Sequence, residues 1–514
     1  MNRQAIKILS LALVLATSSS VAFAQKVWKG TWATAVEWTG KGDMPKESLS
    51  NRSCRQVVHV SFGGEELRVK LSNEQSKEPV EIKSVYIADT DVPSNWGIQT
   101  KTVKYLKFNG KKNVTIAPGK AIFSDDLKYA LKSGQRLTIT IDYGKQTPVN
   151  ATSHRGSRTT SYIVNGLHRT PKPMDKSFDD GEEVDHWYNL SAIDVKTDKA
   201  TPVVAILGNS ITDGRGSTTN HQNRWTDFLS DALNAEKPYG VLNLGIGGNC
   251  VVQGGLSEPA MKRFDRDILG QTGVDKLIIF EGTNDIGCCS GNYEHVTDTL
   301  IACYKVLIAK AKAKGIKVYG GTITPTKGNG WYSHWHEAMR QTVNEWIRKS
   351  GAFDEVIDFD ELTRDPKDPQ RLKAEYSDDW LHFHMDESDL SFVSKLEIPF
   401  DTPVQVHDIH DLSLLIKDIT YEHYSDNIHK EETLLLYLQI LLLKISEKLH
   451  KDAHQPDNIY YDKLSNLRSQ IYNMPYKDWD MESISASMSL SKYYFQHLYK
   501  NTFGVTAMQD IIQS

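Results

Sequence analysis

The rhythm of hydrophobic and polar positions changes twice along the chain. From Gln25 to about Ile193, apolar residues alternate with polar ones in short runs. Val58, Val60 and Phe62 alternate up to Gly63-Gly64, and Leu67, Val69 and Leu71 alternate after it. A period of two marks strands with one buried face, and the Gly-Gly break predicts a hairpin between these two runs. Similar runs occupy Val80–Ile87, Tyr105–Phe108, Val114–Ile116 and Leu137–Tyr143, the middle pair facing each other across Asn109-Gly110. No long helical pattern intervenes, so residues 25–195 are expected to form an all-β sandwich, jelly-roll-like in its topology.

From about Pro202 the rhythm becomes strand, loop, helix. Continuous apolar runs at Val203–Leu207, Val241–Leu244, Leu277–Phe280, Val318–Thr322 and Val356–Phe359 read as buried parallel strands. Helical patterns at Trp225–Leu233, Met261–Leu269, His295–Ala313 and Glu337–Lys349 separate them. This alternation predicts an α/β domain over 200–382, a doubly wound five-stranded parallel sheet with helices on both faces.

Past His382 the pattern turns helical. Ser413–Tyr424 and Glu431–His450 read as helices, the second with Leu434, Leu435, Leu438, Leu441, Leu442 and Ile445 on a broad apolar face. Gln439 and Lys444 interrupt it, so a buried or dimer-forming helix is expected over 431–450 rather than a membrane span. Ile484–Met488 and Lys492–Asn501 predict two short helices around a Ser489-Leu490-Ser491 turn with a capping serine.

A chain of 514 residues exceeds one ordinary core, and 39% hydrophobic with 24% charged residues is enough apolar content for most of it to fold. The formal net charge of -5 argues against nucleic acid as the main partner of the whole chain. Arg3 and Lys7, an apolar run from Ile8 to Ala16 and the small residues of Ala22-Phe23-Ala24 make residues 1–24 a secretory signal peptide. A periplasmic or secreted protein is expected. Cys54, Cys250, Cys288, Cys289 and Cys303 show no metal-ligand spacing and read chiefly as small buried side chains, with one disulfide among the last four open.

The candidate chemistry lies at the carboxyl ends of the parallel strands, where open α/β sheets place ligands. Ser210 follows the first strand, Gly247-Gly248-Asn249 the second, Gly282-Thr283-Asn284-Asp285 the third, and Asp379-Trp380-Leu381-His382 the fifth. A serine needs a base to act as a nucleophile at neutral pH, and His382 has a carboxylate three residues away to orient it. The N–H groups of Ser210 and Gly248 and the amide of Asn284 are candidate donors to an oxyanion, and Asp285 reads as a turn brace. In the β-region, Trp28, Trp32, Trp38 and Trp96 offer stacking surfaces for sugars, though core packing accounts for them equally well. His154, Arg155 and Arg158 lie in a polar loop before this segment; they are candidates to reach toward a substrate, although solvated charges are the commoner case.

Together these four blocks resemble the SGNH, or GDSL-like, hydrolases over roughly residues 202–382. The resemblance implies a serine esterase with Ser210 as nucleophile, Asp379 and His382 completing a triad, and Ser210, Gly248 and Asn284 in the oxyanion hole. It implies no metal or organic cofactor. The first block reads Gly-Asn-Ser where the family usually has Gly-Asp-Ser. The leading β-region, with Gly30–Ala35 and Ser50–Gly64, is similar to that of exported bacterial members, which implies an acetylated carbohydrate substrate. A family member continues past the histidine into a closing helix; this chain does not, so apolar sheet surface is expected to lie uncovered unless the helices over Ser413–His450 cover it.

Residues 383–450 resemble the end of the effector and dimerisation domain of AraC-type transcription regulators, and 455–514 their first helix-turn-helix. That resemblance places Lys492, Tyr493 and Gln496 toward a DNA major groove. A signal peptide and a DNA reader contradict each other. The reading is therefore an exported esterase joined to a regulator fragment, and the alternative is a DNA-binding regulator carrying a degenerate esterase.

Overall fold

The computed structural model describes residues 26–91, 96–168, 171–172, 175–384, 410–425, 427, 429–452, 460–474 and 477–513. The signal peptide expected over 1–24 lies outside them. The chain divides into two units, residues 2–386 and 387–514.

The first unit begins with two large antiparallel sheets and a small third one, in which Thr152–Arg155 pairs with His186–Tyr188 and Glu37–Trp38. One large sheet runs in the order Lys26–Ala33, Leu190–Asp198, Gly64–Ser72, Ala121–Phe123, with Leu127–Leu131 also on Gly64–Ser72. The other is built around Arg52–His59, Arg136–Tyr143 and Val80–Asp89. Their inner faces enclose one core in which Val58, Phe62, Leu67, Val69, Leu71, Ile139 and Ile193 are wholly buried.

Two expected hairpins are corrected. Arg52–His59 and Gly64–Ser72 lie in different sheets and do not pair. Their alternating residues do face one core, but from opposite sides. The crossing is tight: a Cβ on Gly63 would stand 2.0 Å from the Leu131 carbonyl oxygen. Asn109 and Gly110 do turn, with φ of 52° and 79°, but only Phe108 and Lys111 bridge across them. Lys104–Tyr105 and Val114–Ile116 each pair instead with Val80–Asp89.

The parallel sheet runs Gly240–Gly245, Val203–Gly208, Lys276–Phe280, Lys317–Gly321, Glu355–Ile357. Side chains alternate between its faces. Ala205, Leu207, Leu277 and Val318 pack with Phe264, Leu300, Leu307 and Val343 on one side. Val204, Ile206, Ile278 and Phe280 pack with Trp225, Leu229 and Leu233 on the other. Two boundaries shift. Ala260–Phe264 is α-helical but continues as a π-helix over Asp265–Leu269. Phe359 leaves the last strand to open the helix Phe359–Thr363, which Asp358 caps.

The sheet face expected to lie bare is buried. Tyr319 is 3% and Ile357 2% exposed, and Phe383 stacks on Phe359 and tilts against Phe280. The sandwich and the parallel sheet are also joined tightly. Gly30 N donates to Thr272 O at 2.9 Å, and a Cβ on Gly240 would meet the Gly30 carbonyl oxygen at 2.4 Å. Only glycine lets those two backbones approach so closely.

In the second unit, His410–His423 packs on Lys430–Asp452. On the latter, Leu434, Leu438, Leu441, Leu442 and Ile445 of the expected apolar face are half-buried, and Leu436, Ile440 and Leu443 outside it are exposed. Tyr461–Asn473, Met481–Ser487, Lys492–Phe503 and Ala507–Gln513 share a core of Leu464, Ile471, Ile484, Phe495 and Tyr499. The first of the two short helices starts earlier than the periodicity suggests, because the Asp480 carboxylate accepts from Glu482 N and Ser483 N. Among the described residues no helix is long and apolar enough to cross a membrane.

Candidate active site

The strand Val203–Gly208 stops where a Cβ on Gly208 would collide with Thr212 Oγ1 at 2.2 Å. The Asn209 side chain then accepts from Ile211 N and caps a single turn, Ser210–Asp213. An asparagine performs that capping as well as an aspartate does. The turn lifts the Ser210 hydroxyl off the sheet edge toward His382, with Oγ 2.7 Å from Nε2.

The Asp379–His382 loop folds on itself around Trp380, whose φ is 61°. Asp379 Oδ1 accepts from Leu381 N and His382 N, and Oδ2 lies 2.6 Å from His382 Nδ1. One carboxylate thereby shapes the loop and orients the ring. The indole of Trp380 is clamped between the Arg371 guanidinium, 4.6 Å from its centroid, and Gly328, which has no room for a Cβ. Burial pushes the His382 ring below its ordinary value, against the opposing pull of Asp379, and Arg215 and Arg158 add like-charge repulsion. Asp379 is held below the usual carboxylate range: burial raises it, but the His382 and Leu381 hydrogen bonds outweigh that.

Gly248 and Asn284 sit on the neighbouring loops. Gly248 has a φ of 69°, and a Cβ there would lie 2.9 Å from the Leu256 side chain, so backbone conformation and local packing both select glycine. Asn284 is 3% exposed and donates through Nδ2 to the Asn249 carbonyl at 2.6 Å, which ties it to the Gly248 loop. Asp285 is a brace: its carboxylate accepts from Val251 N at 2.8 Å and Val252 N at 2.9 Å. Burial pushes its pKa up to about 6. Ser210, Asp379 and His382 thus form one hydrogen-bonded chain, with Gly248 and Asn284 joined in the adjoining loop. Lys492, Tyr493 and Gln496 belong to the other unit, on Lys492–Phe503, where Lys492 and Tyr493 are exposed and Gln496 is half-buried.

Arg263, Asp213 and Arg215 belong to no motif in the sequence. Arg263 is wholly buried and donates to Gly208 O, Leu244 O and Asn249 Oδ1, bolting the ends of the first two strands together. Its helical position among Ala260, Phe264 and Ile268 was the available signal: a cation on an apolar face needs buried acceptors. Asp213, at the end of the Ser210 turn, receives His154 Nε2 at 2.8 Å. Arg215 follows it, with its backbone N donating to Ser210 O at 2.8 Å. His154 and Arg155 lie on the strand Thr152–Arg155 rather than in a solvated loop: His154 is buried and Arg155 is paired with Glu37 and Asp43. Trp32 is buried edge-on to Trp187, while Trp38 is 49% exposed. All five cysteines are free thiols, and Cys288 is exposed rather than buried.

Residues 206–386 match the GDSL-like Lipase/Acylhydrolase family. This segment is a GDSL-like acylhydrolase domain. The acylhydrolase domain makes the protein an ester-bond hydrolase. Similar solved structures include a GDSL-like lipase from Bacteroides thetaiotaomicron, at 21% identity over 35% of this chain and 79% of that one, TM-score 0.27. A psychrotrophic esterase from Pseudoalteromonas sp. is 21% identical over 31% of this chain and 78% of its own, TM-score 0.25. A catalytic mutant of an acetylxylan esterase from Geobacillus stearothermophilus is 20% identical over 36% and 89%, TM-score 0.28. No curated protein matches the chain.

Proposed function

We propose that the protein is an exported serine esterase that removes acyl groups, acetyl foremost, from carbohydrate. The observation that carries this reading is the chain from Ser210 Oγ through His382 to Asp379, with contacts of 2.7 and 2.6 Å. Ser210 Oγ attacks the ester carbonyl carbon while His382 Nε2 takes its proton, and Asp379 steadies the imidazolium. The carbonyl oxygen, now an anion, is met by the N–H groups of Ser210 and Gly248 and the Asn284 amide. Collapse expels the alcohol, which leaves with the proton from His382. Water, deprotonated by the same ring, then cleaves the acyl-serine to release the acid and restore the hydroxyl. A ring held neutral by burial suits the first step.

The leading β-region and residues 1–24 support the extracellular carbohydrate part of this reading. The test is release of acetate from acetylated glycan by the mature protein, with loss in Ser210→Ala. No release by the wild type contradicts it.

The second reading is a DNA-binding regulator, dimeric through 431–450. It is favoured by the exposure of Lys492 and Tyr493 on a helix capped by Ser491. Cytoplasmic retention of the uncleaved protein with sequence-selective, salt-dependent DNA binding is its signature; periplasmic or secreted cleaved protein excludes it.

A further inference from the structure

The sandwich contributes more than support to the Ser210 site. Its loop around Arg158 is pinned to the acylhydrolase segment that follows the nucleophile turn. Asn220 N donates to Arg158 O at 2.9 Å, Thr160 N to Asn220 Oδ1 at 2.8 Å, and Gln222 Nε2 to Thr159 Oγ1 at 2.9 Å. Arg224 donates to the Ser157 carbonyl from the other side. Arg158 itself sits at a φ of 51°, a conformation that a non-glycine residue adopts only where its surroundings impose it. Its Nε is buried and has no hydrogen-bond partner. Its Nη2 and Asp213 Oδ2 both stand 3.3 Å from where a Cβ on Gly156 would be, which places the guanidinium beside the turn that carries Ser210.

Arg215 lies two residues past that turn. Its backbone N is bonded to Ser210 O, and a Cβ on the next residue, Gly216, would lie 4.0 Å from His382 Cβ. Arg215 is exposed and Arg158 half-buried. Both cations lie close enough to His382 to repel its proton.

The acids around them are already committed. Asp213 is paired with His154, Asp379 with His382, and Glu37 and Asp43 with Arg155. Among the described residues, neither Arg158 nor Arg215 has a carboxylate within ion-pair distance. Arg158, pinned by its loop, and Arg215, exposed just past the same turn, place two guanidinium charges near His382 with no carboxylate among the described residues paired to either, a positive rim suited to an anion.

We propose that Arg158 and Arg215 form a carboxylate-binding rim of the Ser210 site, so that the preferred ester carries a negative charge near the scissile bond. This rests on the esterase reading above and adds the charge of the substrate. A carboxylate is planar and takes parallel N–H donors, which suits arginine better than lysine. The charge has two possible sources, the alcohol side, as in an acetylated uronate polymer, and the acyl side, as in a dicarboxylic half-ester.

The experiment uses the full mature chain and two matched substrate pairs. One is 4-acetoxybenzoate with its methyl ester, placing charge on the alcohol side. The other is the 4-nitrophenyl half-ester of succinate with its methyl ester, placing charge on the acyl side. The quantity read is the ratio of kcat/KM for the charged over the neutral member. The wild type is expected to favour the charged member of one pair, and Arg158→Gln and Arg215→Gln are each expected to lower that ratio about tenfold. Raising salt to about 0.5 M lowers the wild-type ratio and leaves the variant ratios nearly unchanged. The pair that responds identifies the source of the charge. A ratio equal in wild type and both variants for both pairs overturns the proposal while the esterase stands. Failure of the wild type to hydrolyse any of the four esters overturns the esterase reading itself, and this inference with it.

Discussion

His154 Nε2 lies 2.8 Å from Asp213 Oδ1, so a residue of the sandwich holds the last residue of the turn that Ser210 begins. Both side chains are buried, and the His154 ring stacks on Trp187. Nδ1 faces the Ala35 carbonyl. Burial lowers the pKa of this imidazole, but Asp213 more than compensates, and the net value lies above the ordinary 6.5.

Removing His154 leaves Asp213 buried without its partner. His154→Ala is expected to cost on the order of 3 kcal/mol of stability, seen as a lower melting temperature. Activity falls with it, because the Ser210 turn loses its anchor. A folded-state pKa raised above the unfolded one gives stability that is complete below the unfolded value and fades as pH rises through the folded value. The melting-temperature gap between wild type and His154→Gln is therefore larger at about pH 5.5 than at about pH 9.

His382 runs the other way. Burial, with help from Arg215 and Arg158, lowers its pKa, so the ring loses its proton below the usual imidazole range. The acid limb of kcat/KM is expected to have its midpoint below 6.5. Arg215→Gln removes one repelling charge and moves that midpoint upward. A midpoint unmoved in this variant contradicts the electrostatic account.

Asn284 donates to the Asn249 carbonyl with one amide hydrogen and has a second to offer. Asn284→Ala is expected to lower kcat about a hundredfold with little change in KM, as for a donor used mainly in the transition state. Steady-state kinetics on a chromogenic acetate ester measures both constants.

Asp285 acts one step further out. Its two backbone hydrogen bonds fix Val251 and Val252, and so the loop bearing Gly248. Asp285→Ala strands two N–H groups, at a cost of about 2 kcal/mol, read as a lower denaturation midpoint together with lower kcat.

How much of this the sequence disclosed depends on what each pattern reports. Val203–Leu207 is apolar throughout because both sheet faces are covered, and its place in a parallel sheet follows directly. The runs at Val58–Phe62 and Leu67–Leu71 are equally regular, yet suggested a false hairpin. Alternation tells which side of a strand is buried, not which strand it pairs with. Ser210, Asp379 and His382 were legible because each follows a recognisable strand end or sits a helical turn from its partner. The His154–Asp213 contact, spanning 59 positions, was not: His154 stands out only as one of three polar residues, and nothing local ties it to Asp213. Arg263 was hidden for a related reason: its acceptors include backbone carbonyls at Gly208 and Leu244, which every residue type provides.

The central claim is that the Ser210 hydroxyl is activated by His382, and covalent trapping tests it most directly. Incubation of the mature protein with a reactive phosphonate ester, followed by peptide mass analysis, should find one adduct per chain on the peptide containing Ser210. The His382→Ala variant should label far more slowly. An adduct on another residue, or ester hydrolysis that persists at the wild-type rate with Ser210 unmodified, would contradict the account.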